Sequence, residues 1–331
     1  MTAGIGTRTL GSSGLVVSAE GLGCAGFSSG YAASDDDESA LTIRRALELG
    51  ITFFDTASLY GDGHNEELLG KVFAGRTDVV IATKFGFQRN ADGSLRVDGR
   101  PDRIRANCEA SLRRLRVEAI DIYYPHRVDE TVPIEETVGA MAELVTDGLI
   151  RHIGLCEASS RTLERANAVH PITALESEWS LWTRDIEDDV RVTTTALGIG
   201  VVPYCPLGRG FLTGTITSTQ ELDSTDYRRS SPRFAEENLA RNLRIVDDIR
   251  ALAAEKGCSP AQLSLAWVLA QGPDVVPIPG TRRQTYLEEN VNAAFVELTE
   301  SDLARLDQIA PKGVAVGDRY AGGQRYADTP A

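Results

Sequence analysis

Residues 35–61 read DDDESALTIRRALELGITFFDTASLYG. The acidic run Asp35 to Glu38 suits the positively polarised start of a helix, with Ser34 as its N-cap and Gly50 as its stop. The apolar run ITFF follows at once. It ends in Asp55, and Tyr60 comes five residues later in the next loop. A helix, then a short strand apolar on both faces, then a polar loop is the unit of a parallel α/β protein.

The unit recurs along the chain. DVVIATK (78–84), IDIYYPH (120–126), IRHIGL (150–155), ITAL (172–175), GIGVVPY (198–204) and DVVPIP (274–279) read as strands. Amphipathic segments separate most of them. In 101–115, Pro101 suits the first helical position, and Ile104, Cys108, Ser111, Leu112 and Leu115 share one face. In 132–148, Ile134, Val138, Met141 and Val145 form a stripe that ends near Gly148. Further helices are expected near 64–73, 160–169, 184–197, 236–256, 260–271, 282–293 and 301–310. TRTLGSSGLVVS (7–18) reads as an N-terminal hairpin. The stretch 213–235 is the least regular.

A barrel and a doubly wound open sheet both fit this alternation. The second would carry a glycine-rich phosphate turn after an early strand. GLGCAG (21–26) lacks the full spacing and a helix directly behind it. The chain has 331 residues and shows no linker or composition break, so 1–331 reads as a single domain.

Composition narrows the function. The formal charge of −14 argues against a nucleic-acid binder, which needs clustered cations. No apolar run approaches the ~18 residues that cross a bilayer. Cys24, Cys108, Cys156, Cys205 and Cys258 are widely spaced, with no zinc or redox motif. The start of the chain lacks a signal-peptide pattern. The expected location is the cytoplasm, and no membrane, nucleic-acid or metal partner is expected.

If the strands close a barrel, functional groups gather at their C-terminal ends. Asp55, Tyr60, Lys84 and His126 then face one mouth: an acid, a phenol, an amine and an imidazole. Taken singly, each has a duller reading as a turn cap, a loop aromatic, a snorkelling cation or a surface histidine. Together they suit carbonyl reduction, which needs a hydride on carbon and a proton on oxygen. A phenol with an ordinary pKa of about 10 becomes a better proton exchanger beside an ammonium. Asp55 would hold Lys84, and His126 would orient the carbonyl oxygen. His64, His152 and His170 read as structural.

These residues sit in segments that resemble the aldo-keto reductase family, in its bacterial and plant short-loop branch: GITFFDTASLYGDGHNEELLGKVF (50–73), VVIATKFG (79–86), IDIYYPHRVD (120–129), IRHIGLCEAS (150–159), SEWSLWTRDIE (177–187), VVPYCPLGRGFLTG (201–214) and VPIPGTRRQTYLEENVNA (276–293). The resemblance implies an α/β fold, a (β/α)8 TIM barrel with an N-terminal β-hairpin and extra C-terminal helices. It implies reduction of small aldehydes or ketones with NADPH (NADP+), NADH being the secondary candidate. Asp55, Tyr60, Lys84 and His126 fall on the catalytic positions, with Tyr60 as general acid. Tyr204 falls where an aromatic ring stacks on the nicotinamide. Leu207, Gly208 and Gly210 fall beside the diphosphate, and Thr281, Arg282 and Arg283 near the adenosine 2′-phosphate. Glu289 and Asn290 match adenine contacts. Gly23, Cys24, Cys156, Glu157, Glu176, Cys205 and Gly280 complete the expected cofactor contacts.

The chain departs from the family pattern at several of these positions. Cys156-Glu157 replaces Ser-Asn and Glu176 replaces Gln at the nicotinamide carboxamide. Cys205 replaces Ser, Trp179 replaces Tyr, and Gly280 replaces Lys. The substrate wall is expected from residues 27–33, 87–100, 213–235 and 313–331, with Trp179 close by. A cofactor-sensing subunit resembling potassium-channel β-subunits is the alternative function. The chain is expected to be a monomer or a homo-oligomer.

Overall fold

The computed structural model describes residues 4–28, 30, 31, 34–90 and 92–320. Parts of the expected substrate wall, at 29, 32, 33, 91 and 321–331, lie outside them. A hairpin of β1 (Thr7–Leu10) and β2 (Leu15–Ser18) opens the chain. Leu10 and Val17 pack against Phe53, Ala82, Ile122 and Val202. The hairpin turn meets the start of a later strand, where Ser12 N–H donates to the Gly198 carbonyl at 2.7 Å. The hairpin thus closes the N-terminal end of the barrel.

The barrel strands are β3 (Leu22–Gly23), β4 (Phe53–Asp55), β5 (Val80–Phe85), β8 (Ile120–Pro125), β9 (Ile150–Cys156), β10 (Ala174–Glu178) and β11 (Gly200–Tyr204). They are parallel and hydrogen-bonded in the order β11-β10-β9-β8-β5-β4-β3. A small hairpin, β6 (Phe87–Arg89) and β7 (Leu95–Val97), rises after β5 from a stretch expected as loop.

Segment 274–279 fills the eighth place. Val276 and Ile278 N–H donate to Val201 and Pro203 carbonyls at 2.9 and 3.0 Å. On the other side, Gly21 and Gly23 N–H donate to Pro277 and Pro279 carbonyls at 2.9 and 3.3 Å. Pro277 and Pro279 have no N–H to return, so half of that ladder is missing and no regular strand forms.

The helices are α1 (Asp36–Glu48), α2 (His64–Val72), α3 (Pro101–Leu115), α4 (Ile134–Thr146), α5 (Ser160–Val169), α6 (Val190–Leu197), α7 (Glu236–Lys256), α8 (Pro260–Leu269), α9 (Gln284–Val291) and α10 (Glu300–Ile309). The predicted face of α3 is the buried one. Two readings need correction. The cap of α1 is Asp35, whose carboxylate accepts from Asp37 and Glu38 N–H, while the Ser34 hydroxyl donates to the Phe27 carbonyl. On α4, Leu144 is buried and Val145 only partly so.

The irregular stretch after β11 is a chain of short 3-10 turns at Gly208–Thr213, Thr219–Glu221, Tyr227–Ser230 and Pro232–Phe234. Among the described residues, no helix is long and apolar enough to cross a membrane.

Candidate active site

The C-terminal ends of the strands surround a cavity of about 670 Å3. Asp55, Tyr60, His126, Glu176 and Tyr204 line one part of it. Gly280, Thr281, Arg282, Arg283, Glu289 and Asn290 line another, and Gly23, Cys205, Leu207 and Gly210 also border it. Lys84, Cys24, Cys156, Glu157 and Gly208 are not on its wall.

Lys84 stands on β5 behind the wall and is fully buried. Its Nζ donates to Asp55 Oδ1 at 2.5 Å and to the Thr56 carbonyl at 3.0 Å, and lies 3.3 Å from Glu176 Oε1. Burial alone would lower the Lys84 pKa; the carboxylates of Asp55 and Glu176 more than offset this, and it ends well above its ordinary value. Two acids therefore share one ammonium. Burial raises Asp55, against the pull of Lys84. Burial and then the like charge of Asp55 push Glu176 up to about 8.

The loop after β4 brings Tyr60 over this group. Ser58 N–H and hydroxyl both donate to the Lys84 carbonyl, at 3.1 and 2.9 Å, which ties the loop to β5. Lys84 Nζ is 5.5 Å from the Tyr60 ring centroid. The expectation that Lys84 would bring the phenol below its ordinary pKa does not hold here. Burial raises Tyr60 strongly, Lys84 pulls it down, and Asp55 and Glu176 push it up again. The phenol is held in its protonated form.

His126 stands at the end of β8, with its ring edge-on to Tyr60 at 5.7 Å and to Phe87 at 5.0 Å. Burial, then Lys84 and Arg127, hold its pKa well below the ordinary value. A neutral imidazole results. Its Nδ1 has no hydrogen-bond partner among the described residues.

Glu157 is placed differently from the sequence expectation. Its backbone φ is +50°, and its buried carboxylate accepts from Glu178 N–H at 2.8 Å and Arg319 Nη2 at 2.7 Å. Arg319 also donates to the Tyr204 hydroxyl at 3.0 Å, which pairs with the Tyr320 hydroxyl at 3.0 Å. Glu178 joins the cluster through Arg209 at 2.9 Å and Arg233 at 3.5 Å. Burial would raise Glu178, but the arginines win and lower it. The described tail is thus pinned over the ends of β9 and β10. Trp179 is buried in the core, donating to Glu187 at 3.0 Å and packed edge-on against Trp267, so it does not border the cavity. The sequence reading had not singled out Arg127, Arg209, Arg228 or Arg319. Arg127, in IDIYYPHRVD, and Arg209, in VVPYCPLGRGFLTG, do lie within the segments that carry the resemblance.

The wall has the shape of a cradle for an extended anionic ligand. The loop after β11 turns with Cys205, Gly208, Arg209 and Gly210 all at positive φ. At Gly208 a Cβ would meet the Trp182 ring at 2.8 Å. A Cβ on Gly280 would come 2.9 Å from the Gly23 carbonyl oxygen, so only a bare backbone lets these segments meet under the cavity. Helix α9 has no acidic residue in its first turn and no side-chain cap. Glu176 Oε2 and Asp55 Oδ2 are buried without hydrogen-bond partners among the described residues. These features fit a nicotinamide dinucleotide, with an uncharged amide at Glu176 and phosphates toward the glycine loop and α9. Among the described residues, no cluster of His, Cys, Asp and Glu could hold a metal ion.

Comparison with known proteins agrees with this geometry. The model of the aldo/keto reductase family matches residues 21–311. The soybean (Glycine max) protein named "Probable aldo-keto reductase 1" is 46% identical over 329 residues, 97% of this chain and 95% of that protein. The glycerol dehydrogenase AKR11B4 of Gluconobacter oxydans superposes with a TM-score of 0.84 at 31% identity, covering 93% of this chain and 95% of the other. The holo form of the aldo-keto reductase AKR11C1 of Bacillus halodurans gives 0.74 at 27% identity, covering 92% and 96%. With the barrel, the grouping of Asp55, Tyr60, Lys84 and His126, and matches that run nearly end to end, the chain belongs to the aldo/keto reductase family, whose oxidoreductases use nicotinamide cofactors on small carbonyl substrates.

Proposed function

We propose that the protein reduces aldehydes or ketones to alcohols with NADPH, with Tyr60 as the proton donor. One observation carries the reading: Tyr60 and His126 meet on the cavity wall above a Lys84 ammonium held 2.5 Å from Asp55. The bound nicotinamide would supply the hydride to the carbonyl carbon. The chain's own residues handle the oxygen. Neutral His126 donates a hydrogen bond to it and orients it. Tyr60 begins protonated and gives up its proton as negative charge develops. Lys84 stabilises the phenolate that remains, and Asp55 fixes Lys84 beneath the ring.

Thr281, Arg282 and Arg283 precede a helix start free of acidic side chains, which supports NADPH over NADH. The five cysteines are free thiols, as suits a reducing cytoplasm, where we place the protein. Residues 1–331 are read as one catalytic barrel unit.

The test is Tyr60→Phe, assayed for turnover and for NADPH binding by fluorescence quenching. Turnover is expected to fall about 100- to 10,000-fold with binding retained. Near-normal turnover removes Tyr60 from the role. A wild-type protein that binds NADPH but turns over no carbonyl compound favours a cofactor-sensing subunit instead.

A further inference from the structure

Arg127 follows His126 directly at the end of β8 and lines the same cavity as His126 and Tyr60. Its Nη1 donates to the His126 carbonyl at 2.7 Å, and its Nη2 to the Tyr320 hydroxyl at a long 3.4 Å. Its guanidinium also lies 6.0 Å from the Tyr320 ring centroid. All of these partners are neutral.

The other arginines near this part of the cavity differ. Arg209 is paired with Glu178 at 2.9 Å and Arg228 with Asp226 at 2.6 Å. The charge of Glu157 is felt at Arg127, but its direct partner is Arg319 at 2.7 Å. Among the described residues, no Asp or Glu oxygen lies within salt-bridge reach of Arg127. A guanidinium has five N–H donors, and among the described residues two of them are used. A partly buried cation with no carboxylate in direct contact is incompletely compensated, and an anion that binds against it completes the pairing. The planar fork of arginine matches a carboxylate in two parallel hydrogen bonds. The protein as a whole carries a charge of −14. A local cation beside the reacting group is what an anionic substrate would need to enter such a site.

We propose that Arg127 selects substrates that carry a carboxylate in addition to the reactive carbonyl, that is, oxo acids and carboxyl-bearing aldehydes. This rests on the carbonyl-reductase reading. The carbonyl carbon would take a hydride from the reduced nicotinamide, its oxygen would take the Tyr60 proton, and the carboxylate would leave unchanged in a hydroxy acid.

The experiment measures kcat and KM with linear aldehydes ending in a carboxylate, at several chain lengths, each against its own methyl ester. In the wild-type protein the acid should be favoured in kcat/KM by about 10- to 100-fold at one or more lengths, mainly through KM. Arg127→Gln should bring that ratio close to one, and Arg127→Lys should keep part of it. Equal kcat/KM for acid and ester at every length overturns the proposal and leaves carbonyl reduction standing. An acid preference that persists in Arg127→Gln also overturns it. Failure to reduce either member with NADPH or NADH removes the reductase reading, and this proposal with it.

Discussion

The Glu176 carboxylate lies 3.3 Å from the Lys84 ammonium, which already donates to Asp55 at 2.5 Å. A second acid at this point makes the site sensitive to pH. Burial and the charge of Asp55 raise Glu176 to about 8, so below that pH it keeps a proton. A protonated carboxyl can both donate and accept, as an amide side chain does. Ionised, it only accepts.

Nicotinamide affinity is therefore expected to fall as pH rises through about 8. Glu176→Gln should flatten that dependence. Fluorescence titrations at a series of pH values check this. An unchanged pH profile in the variant would show that Glu176 is not the titrating group.

Glu20 is fully buried, and neither of its carboxylate oxygens has a partner among the described residues. Burial raises its pKa to about 8. Its folded-state pKa lies above the unfolded one, so between the two values the folded protein binds the extra proton. Stability should decline as pH rises from the ordinary glutamate range and level off above about 8. Each pKa unit crossed is worth about 1.4 kcal/mol. Glu20→Gln should remove this share of the decline and raise the melting temperature most at alkaline pH. A gain in melting temperature that is the same at every pH would contradict the assignment.

Arg319 joins Glu157 at 2.7 Å and the Tyr204 hydroxyl at 3.0 Å. Arg319→Met would leave a buried carboxylate without its cation, a loss of about 3–5 kcal/mol if the site cannot relax. Release of the tail offers that relaxation. The expected signature is faster hydrogen exchange across 311–320, with a smaller loss of global stability. Unchanged exchange there would mean that the arginine does not hold the tail.

Arg282→Ala with Arg283→Ala should weaken NADPH binding about 10- to 100-fold at low salt and NADH binding far less. Added salt should narrow the difference. Equal losses for the two cofactors would argue that the pair does not read the 2′-phosphate.

Much of this protein is written in local sequence. The α/β alternation, the buried face of α3 and the order Asp55, Tyr60, Lys84, His126 could all be read from short segments. Strand and helix periodicity is a property of neighbouring residues, and a strand end fixes where its last polar side chain emerges. Folding in space decided the rest. Arg319 meets Glu157 across 162 residues of chain, and that pairing anchors the tail. Tyr60 stays protonated because burial outweighs the pull of one lysine, a balance set by distances and dielectric. The apolar run 274–279 has the pattern of a strand, but its two prolines face β3, where their missing N–H groups interrupt the ladder. Charges and hydrogen bonds act through space, and chain order does not reveal which groups will share it.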